Sequence, residues 1–293
     1  LLFFTQKGRC YWQKCYEIPE GDKNAKGRAI QNMLNIDPDD SINAVLRIKN
    51  FNDEEFLKTH YVVFATKQGI IKKTCLDAYK NVRANGVIAI NINEGDEVVG
   101  VRLTNGHNEL LLANRNGRAV RFDENDVRTM GRVATGVIGM RLDGGDDEVV
   151  GMVCVNDPNE ETIMVVSENG YGKRSEVEDY RKTARGAKGV KTLAITEKTG
   201  RLVAIKVVTD ENDLMIINKS GVLIRLKVAD VRVMGRATQG VRLINLAKKN
   251  DVIASVCKVM HAQAEEEDIE TAEIVDDEVN DAPLIDVTSP DEN

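Results

Sequence analysis

Leu110-Leu111-Leu112-Ala113-Asn114-Arg115-Asn116-Gly117-Arg118-Ala119-Val120-Arg121-Phe122 is a β-hairpin written in thirteen residues. An apolar run, a turn ending in Asn-Gly and a returning strand follow one another, and Asn-Gly between such runs is the strongest short hairpin signal. Reading onward, residues 123–134 are polar, 135–142 read as a third strand, Asp143-Gly144-Gly145-Asp146 as a turn, and 148–155 as a fourth strand. This plan recurs five times. The hairpin glycines are Gly8, Gly69, Gly117, Gly170 and Gly221, and a second set follows at Gly27, Gly86, Gly136, Gly189 and Gly240. Within each pair the offset is 19, 17, 19, 19 and 19 residues.

A β-rich repeat of about 40–50 residues predicts an all-β, propeller-like array of four-stranded units. One such sheet is too small to fold alone, so neighbours must stack to bury its faces. The units fall at about 1–60, 61–108, 109–160, 161–212 and 213–260. The hairpin glycines are expected to supply positive φ, and the second set, before Val in four units, to let the backbone approach another segment. The only stretches with helical character are 17–30, 77–86, 123–135, 176–189 and 228–239.

Composition narrows the function. Aromatics are 4% of the 293 residues, so Val, Ile and Leu must build the core. No window approaches the 18 or more uncharged apolar residues that a membrane helix needs. Five cysteines at irregular spacing (Cys10, Cys15, Cys75, Cys154, Cys257) and three scattered histidines form neither a metal cluster nor a nucleophile–base pair. Such a pattern reads as reduced thiols in a cytosolic protein without catalytic residues. The net charge of −7 conceals two segments: residues 265–293 hold thirteen acidic and no basic residues, while the rest carries 40 basic and 34 acidic. Residues 261–293 are expected to be a disordered acidic tail. It is either a solubiliser or an internal competitor for whatever the basic body binds.

The basic residues follow the repeat. Four positions past each hairpin glycine stand Trp12, Lys73, Arg121, Arg174 and Arg225. Four before each second glycine stand Lys23, Val82, Arg132, Arg185 and Arg236, with Arg83 beside Val82. Eight of these ten are cationic in a chain where Lys and Arg are 40 of 293 residues. Equivalent positions around an array share one level, so these cations predict a positive band fitted to a polyanion, foremost duplex nucleic acid. Sparse aromatics argue against single-strand stacking, and phosphate contacts alone give weak sequence preference. Lys26, Arg28, Lys72, Arg118, Lys173, Arg181, Lys182, Lys188, Lys191 and Lys227 extend the candidate band. Its densest part is Arg185-Gly186-Ala187-Lys188-Gly189, a basic loop whose glycines can bring backbone N–H groups near a phosphate. Isolated edge-strand cations that resist aggregation are the competing reading.

These residues resemble a known family. Asn169-Gly170-Tyr171-Gly172-Lys173-Arg174, Met130-Gly131-Arg132, Met234-Gly235-Arg236 and Thr238-Gln239-Gly240-Val241, with the acidic tail, look like the C-terminal domain of the DNA gyrase A subunit. The resemblance covers the chain repeat by repeat. It implies a β-pinwheel, a propeller-like disc whose blades exchange strands and whose positive perimeter bends double-stranded DNA. It implies a bacterial cytoplasmic, nucleoid-associated parent with the gyrase B subunit as partner in an A2B2 complex, and ATP and Mg2+ used on other domains, none in this part. The family has six units where five are counted here. Its marker heptapeptide, Gln-Arg-Arg-Gly-Gly-Lys-Gly, has no copy; residues 183–189 come nearest and 21–27 are fainter. A first unit upstream of Leu1 is the expectation. The family's cleavage tyrosine belongs to another domain, so none of Tyr11, Tyr16, Tyr61, Tyr79, Tyr171 or Tyr180 is expected in that role. The rival readings are the corresponding topoisomerase IV domain, which selects a DNA segment without full wrapping, and a protein-interaction propeller.

Overall fold

In units two to five one short strand leaves its own unit and completes the sheet before it. The computed structural model describes residues 1–22, 24–246 and 251–260; the expected tail at 261–293 lies outside them. From inner to outer edge, blade one consists of Ile42–Leu46, Leu2–Thr5, Arg9–Trp12 and Val87–Ile88, the last taken from unit two. Blade two runs Val98–Thr104, Tyr61–Thr66, Ile70–Cys75 and Val137–Ile138. Blade three runs Val149–Val155, Glu109–Asn114, Arg118–Asp123 and Val190–Lys191. Blade four runs Leu202–Val208, Thr162–Ser167, Tyr171–Glu176 and Val241–Arg242. Blade five has three strands among the described residues, Ile253–Met260, Asn212–Asn218 and Leu223–Lys227, instead of the expected four. All pairings between these strands are antiparallel, and the inner strands pack one against the next from blade one to blade five.

The hairpin glycine is the socket for the exchanged strand. Gly69 C=O accepts from the N–H groups of Gly139 (2.8 Å) and Met140 (3.1 Å). Gly8, Gly117 and Gly170 receive the next unit in the same way. Gly69 has φ +82°, and a Cβ there would lie 2.4 Å from Met140 O. Gly221 of blade five has φ +85° but open space where the exchanged strand would lie. The third strand read at 135–142 is therefore only Val137–Ile138, because the rest of that segment turns around the glycine.

Central strands are buried on both faces, which explains their unbroken apolar runs. Val62 and Phe64 face a core shared with Leu2 and Phe4 of blade one. Val63 and Ala65 face Leu110 and Leu112 of blade three. The pattern repeats between blades three and four and between four and five. The outer face of blade one is covered by its own unit, Leu34 and Ile36 lying on Phe3 and Tyr11. The expected helical stretches hold only single 3-10 turns, such as Leu76–Tyr79, Glu124–Asp126, Val177–Asp179 and Val228–Asp230, because the chain must leave the turn to reach the preceding blade. One α-helix that periodicity did not signal, Glu54–Thr59, is capped by Asp53, whose carboxylate accepts from Phe56 N–H (2.9 Å).

Alanine at the two glycines separates backbone conformation from socket geometry. Gly221→Ala should cost about 1 kcal/mol, the left-handed penalty alone. Gly69→Ala should cost at least ~3 kcal/mol, since a carbonyl of the inserted strand must also move. Urea unfolding of both variants checks the difference.

Candidate nucleic-acid interface

The structure divides the predicted cations into two groups. Lys72, Lys73, Arg121, Lys173 and Arg174 are 0–7% exposed. They face protein groups, which corrects their assignment to a surface band. Each lies in the second hairpin strand; Lys73, Arg121 and Arg174 reach the next unit's 3-10 turn or the residue just after it, and Lys72 and Lys173 reach carbonyls of its crossing segment. Arg121 donates to Val177 O (2.9 Å), Tyr180 O (3.0 Å) and Glu178 (2.9 Å) of that unit, and to Glu109 of its own. Arg174 donates to Val231 O (2.7 Å) and pairs with Asp210. Lys73 pairs with buried Glu124 (2.9 Å) and lies over the Tyr61 ring at 4.2 Å. Lys72 donates to Ala89 O and Arg132 O, and Lys173 to Gly235 O (2.6 Å). Burial, reinforced by nearby Arg132, pushes Lys72 down to about 7. Burial likewise brings Lys173 to about 8, with Asp179 opposing and Arg236 assisting. Arg225 of blade five has no described next unit beside it, and its half-exposed side chain turns to Asp213 (2.7 Å).

The second group lies on the segments that cross from one blade to the outer edge of the preceding one. Arg185 donates to Asp126 O (3.0 Å) and Ile138 O (3.0 Å), and Arg236 in the next unit repeats this with Asp179 O (2.9 Å) and Lys191 O (2.8 Å). Successive crossing segments are thus stitched together along the rim, and both arginines stay partly exposed. Arg132 is also partly exposed, while Arg83, Arg181 and Lys191 are exposed. Arg118 sits opposite Lys191 and 3.6 Å from Asp143, which also takes Lys188 at 2.7 Å. Lys182 is exposed but paired with Glu109 (3.1 Å) and Asp123 (2.9 Å). Lys26 and Arg28 are exposed on unit one, and Lys227 on the edge of blade five, apart from this stitched run. Lys23 lies outside the described residues.

Counting by four missed a further set. Eleven positions past each hairpin glycine stand Pro19, Lys80, Arg128, Arg181 and Arg232. The four cations are exposed, each directly following a buried residue that ends or caps the 3-10 turn: Tyr79, Val127, Tyr180 or Val231. Among the described residues none of the four forms a salt bridge. The same count that found Arg121 finds them if carried to eleven. Each crossing segment of units two to five then carries two rim cations: Lys80 and Arg83, Arg128 and Arg132, Arg181 and Arg185, Arg232 and Arg236. Repeat-related cations on a stitched rim match a repeating phosphate backbone.

The sequence matches the family described as DNA gyrase C-terminal domain, beta-propeller, over residues 1–49, 60–105, 108–156, 161–209 and 212–257. The DNA gyrase A subunit of Staphylococcus aureus (strain MRSA252) is 42% identical over 277 residues, covering 94% of this chain and 31% of that protein. Its counterpart in Staphylococcus epidermidis (strain ATCC 12228 / FDA PCI 1200) is 44% identical over 259 residues, covering 88% and 28%. The chain therefore spans about a third of the length of these relatives. A crystal structure of the C-terminal domain of DNA topoisomerase IV superposes with TM-score 0.80 at 30% identity, covering 89% of this chain and 79% of that one. A DNA gyrase A C-terminal domain superposes with TM-score 0.74 at 25% identity, covering 88% and 82%.

Two measurements test the division of cations. Lys73→Met leaves the Glu124 charge buried without its cation and should cost about 3–5 kcal/mol in urea unfolding; Arg128→Gln, on the rim, should stay within about 0.5 kcal/mol. The second is pH. Lys72 and Lys173 titrate in the folded chain below the ordinary lysine value, so between about 7 and 10 the unfolded chain holds protons that the folded chain has released. Stability should therefore rise with pH across that window. Thermal unfolding at several pH values should show this rise, and Lys72→Met should flatten it.

Proposed function

This chain belongs to the DNA gyrase C-terminal domain family, and on that premise we propose that it wraps duplex DNA around its rim of crossing segments as the non-catalytic DNA-binding part of a gyrase A protein. The observation that carries the reading is the row of paired rim cations from Lys80 to Arg236. In the parent this bend presents a DNA segment to the strand-passage gate with fixed handedness, so that a type II topoisomerase using ATP and Mg2+ on other domains introduces negative supercoils. The partners are the rest of the gyrase A chain and the gyrase B chain in an A2B2 complex, in the bacterial cytoplasm at the nucleoid. Among the described residues no helix is long and apolar enough to cross a membrane.

The energetics require cations. Bending duplex by half a turn around a body this small costs on the order of 10 kcal/mol. Apolar contact cannot offset this, because duplex DNA presents phosphates to its surroundings. Neutralising about eight phosphates with the eight rim cations gives a slope of log K against log salt near ~−7. A second reading, segment selection in a topoisomerase IV, is favoured by the five described sheets and by the likeness to that domain.

Ligating nicked plasmid at low salt with increasing protein separates the two. A shift in linking number after deproteinisation is the expected outcome. Tight, salt-sensitive binding without a shift would support segment selection, and a slope shallower than about −2 would overturn wrapping. Replacing Arg128, Arg181 and Arg232 together with Gln should make the slope shallower by about 3.

A further inference from the structure

A second basic cluster lies at the opposite edge of the sheets. The inner strands of blades two, four and five bring Arg102, Lys206 and Lys258 to one cavity of about 400 Å³, with Asn156 and the thiols of Cys154 and Cys257 completing its wall. That volume suits a small ligand. Among the described residues no carboxylate lines the cavity, and none of the three cations forms a salt bridge. Elsewhere the buried cations are matched inside the protein, Lys73, Arg121 and Arg174 by carboxylates and Lys72 and Lys173 by backbone carbonyls. Arg102 uses one N–H on Val101 O (2.8 Å), which leaves further donors of its guanidinium for a ligand. Burial, and then the nearby Arg102 charge, push Lys206 below the ordinary lysine value.

We propose that this cavity binds a small, multiply charged oxyanion of the pyrophosphate type. Three cations from three strands converge on one volume, and a guanidinium with two ammonium groups matches several oxyanion lone pairs at once. Rim-bound DNA cannot supply these charges. Four strands separate the inner edge from the crossing segments, a distance of roughly 14 Å at ordinary strand spacing. The site thus adds a soluble ligand to a protein whose outer face takes a polymer.

Calorimetric titration of the full chain with sodium pyrophosphate in chloride buffer tests this. One molecule should bind per chain, and Lys206→Gln with Lys258→Gln should weaken binding at least about tenfold through lost charge-assisted contacts. Arg128→Gln with Arg181→Gln on the rim should leave it unchanged. Cys257 is exposed at the cavity and Cys15 is exposed on unit one. Saturating pyrophosphate should slow alkylation of Cys257 and leave Cys15 untouched, a readout on the unaltered protein that stands even if the double variant fails to fold. No saturable binding, sensitivity only to the rim variant, or unprotected Cys257 would overturn the proposal.

Discussion

Everything in this molecule depends on satisfying the open edge of a three-stranded sheet. An unpaired edge exposes a row of N–H and C=O groups that invites pairing with another chain. Blades one to four close it with a strand from the following unit, seated on a glycine carbonyl at 2.7–3.4 Å. That choice makes neighbouring units inseparable, because each is incomplete without the next. It also forces a crossing segment outward at every junction, and this makes the rim.

The exchange explains why one residue type does two jobs. A cation four past the hairpin glycine emerges beside the next unit's 3-10 turn, where terminal carbonyls and carboxylates await it. Arg121 bonds to the turn that contains Val177 and to Tyr180 after it, and Arg174 does the same around Val231. These cations lock the junction from inside. A cation eleven past the same glycine follows the buried residue that ends or caps the turn, and it is exposed. Where the next unit is missing from the described residues, both effects lapse together: Gly221 meets open space, Arg225 becomes half-exposed, and Leu223 is 51% exposed.

The hairpins, the repeat and the hairpin glycines were legible in the sequence because each depends on local chemistry. Asn116-Gly117 is a turn whatever surrounds it. The destination of Val137–Ile138 was not legible from the residues themselves, since a two-residue strand carries no sign of which sheet it joins; only the family resemblance implied exchange. Burial of Lys73 and Arg121 was hidden for a related reason. A periodic cation reads the same whether it lines a surface or meets a periodic partner, and the partners Glu124 and Glu178 lie 51 and 57 residues away. The rim cations at Lys80, Arg128 and Arg232 were within reach of the sequence, but a four-residue count stops short of them. The cluster at the inner edge was beyond it: Arg102, Lys206 and Lys258 meet only when three strands of different blades converge.

Two populations of cations also decouple stability from binding. Salt screens exposed charges over about 8–10 Å at physiological strength but weakens buried pairs far less. Lys73–Glu124 and Arg121–Glu109 sit inside the junctions, so salt that screens the exposed charges of Arg128 and Arg232 should act far less on the blade contacts. A disc that held its blades together with its DNA-facing charges would loosen as it released its ligand. Here the junction is closed by strand exchange and interior ion pairs, which leaves the rim charges of the proposed DNA-binding face out of the contacts that hold the blades together.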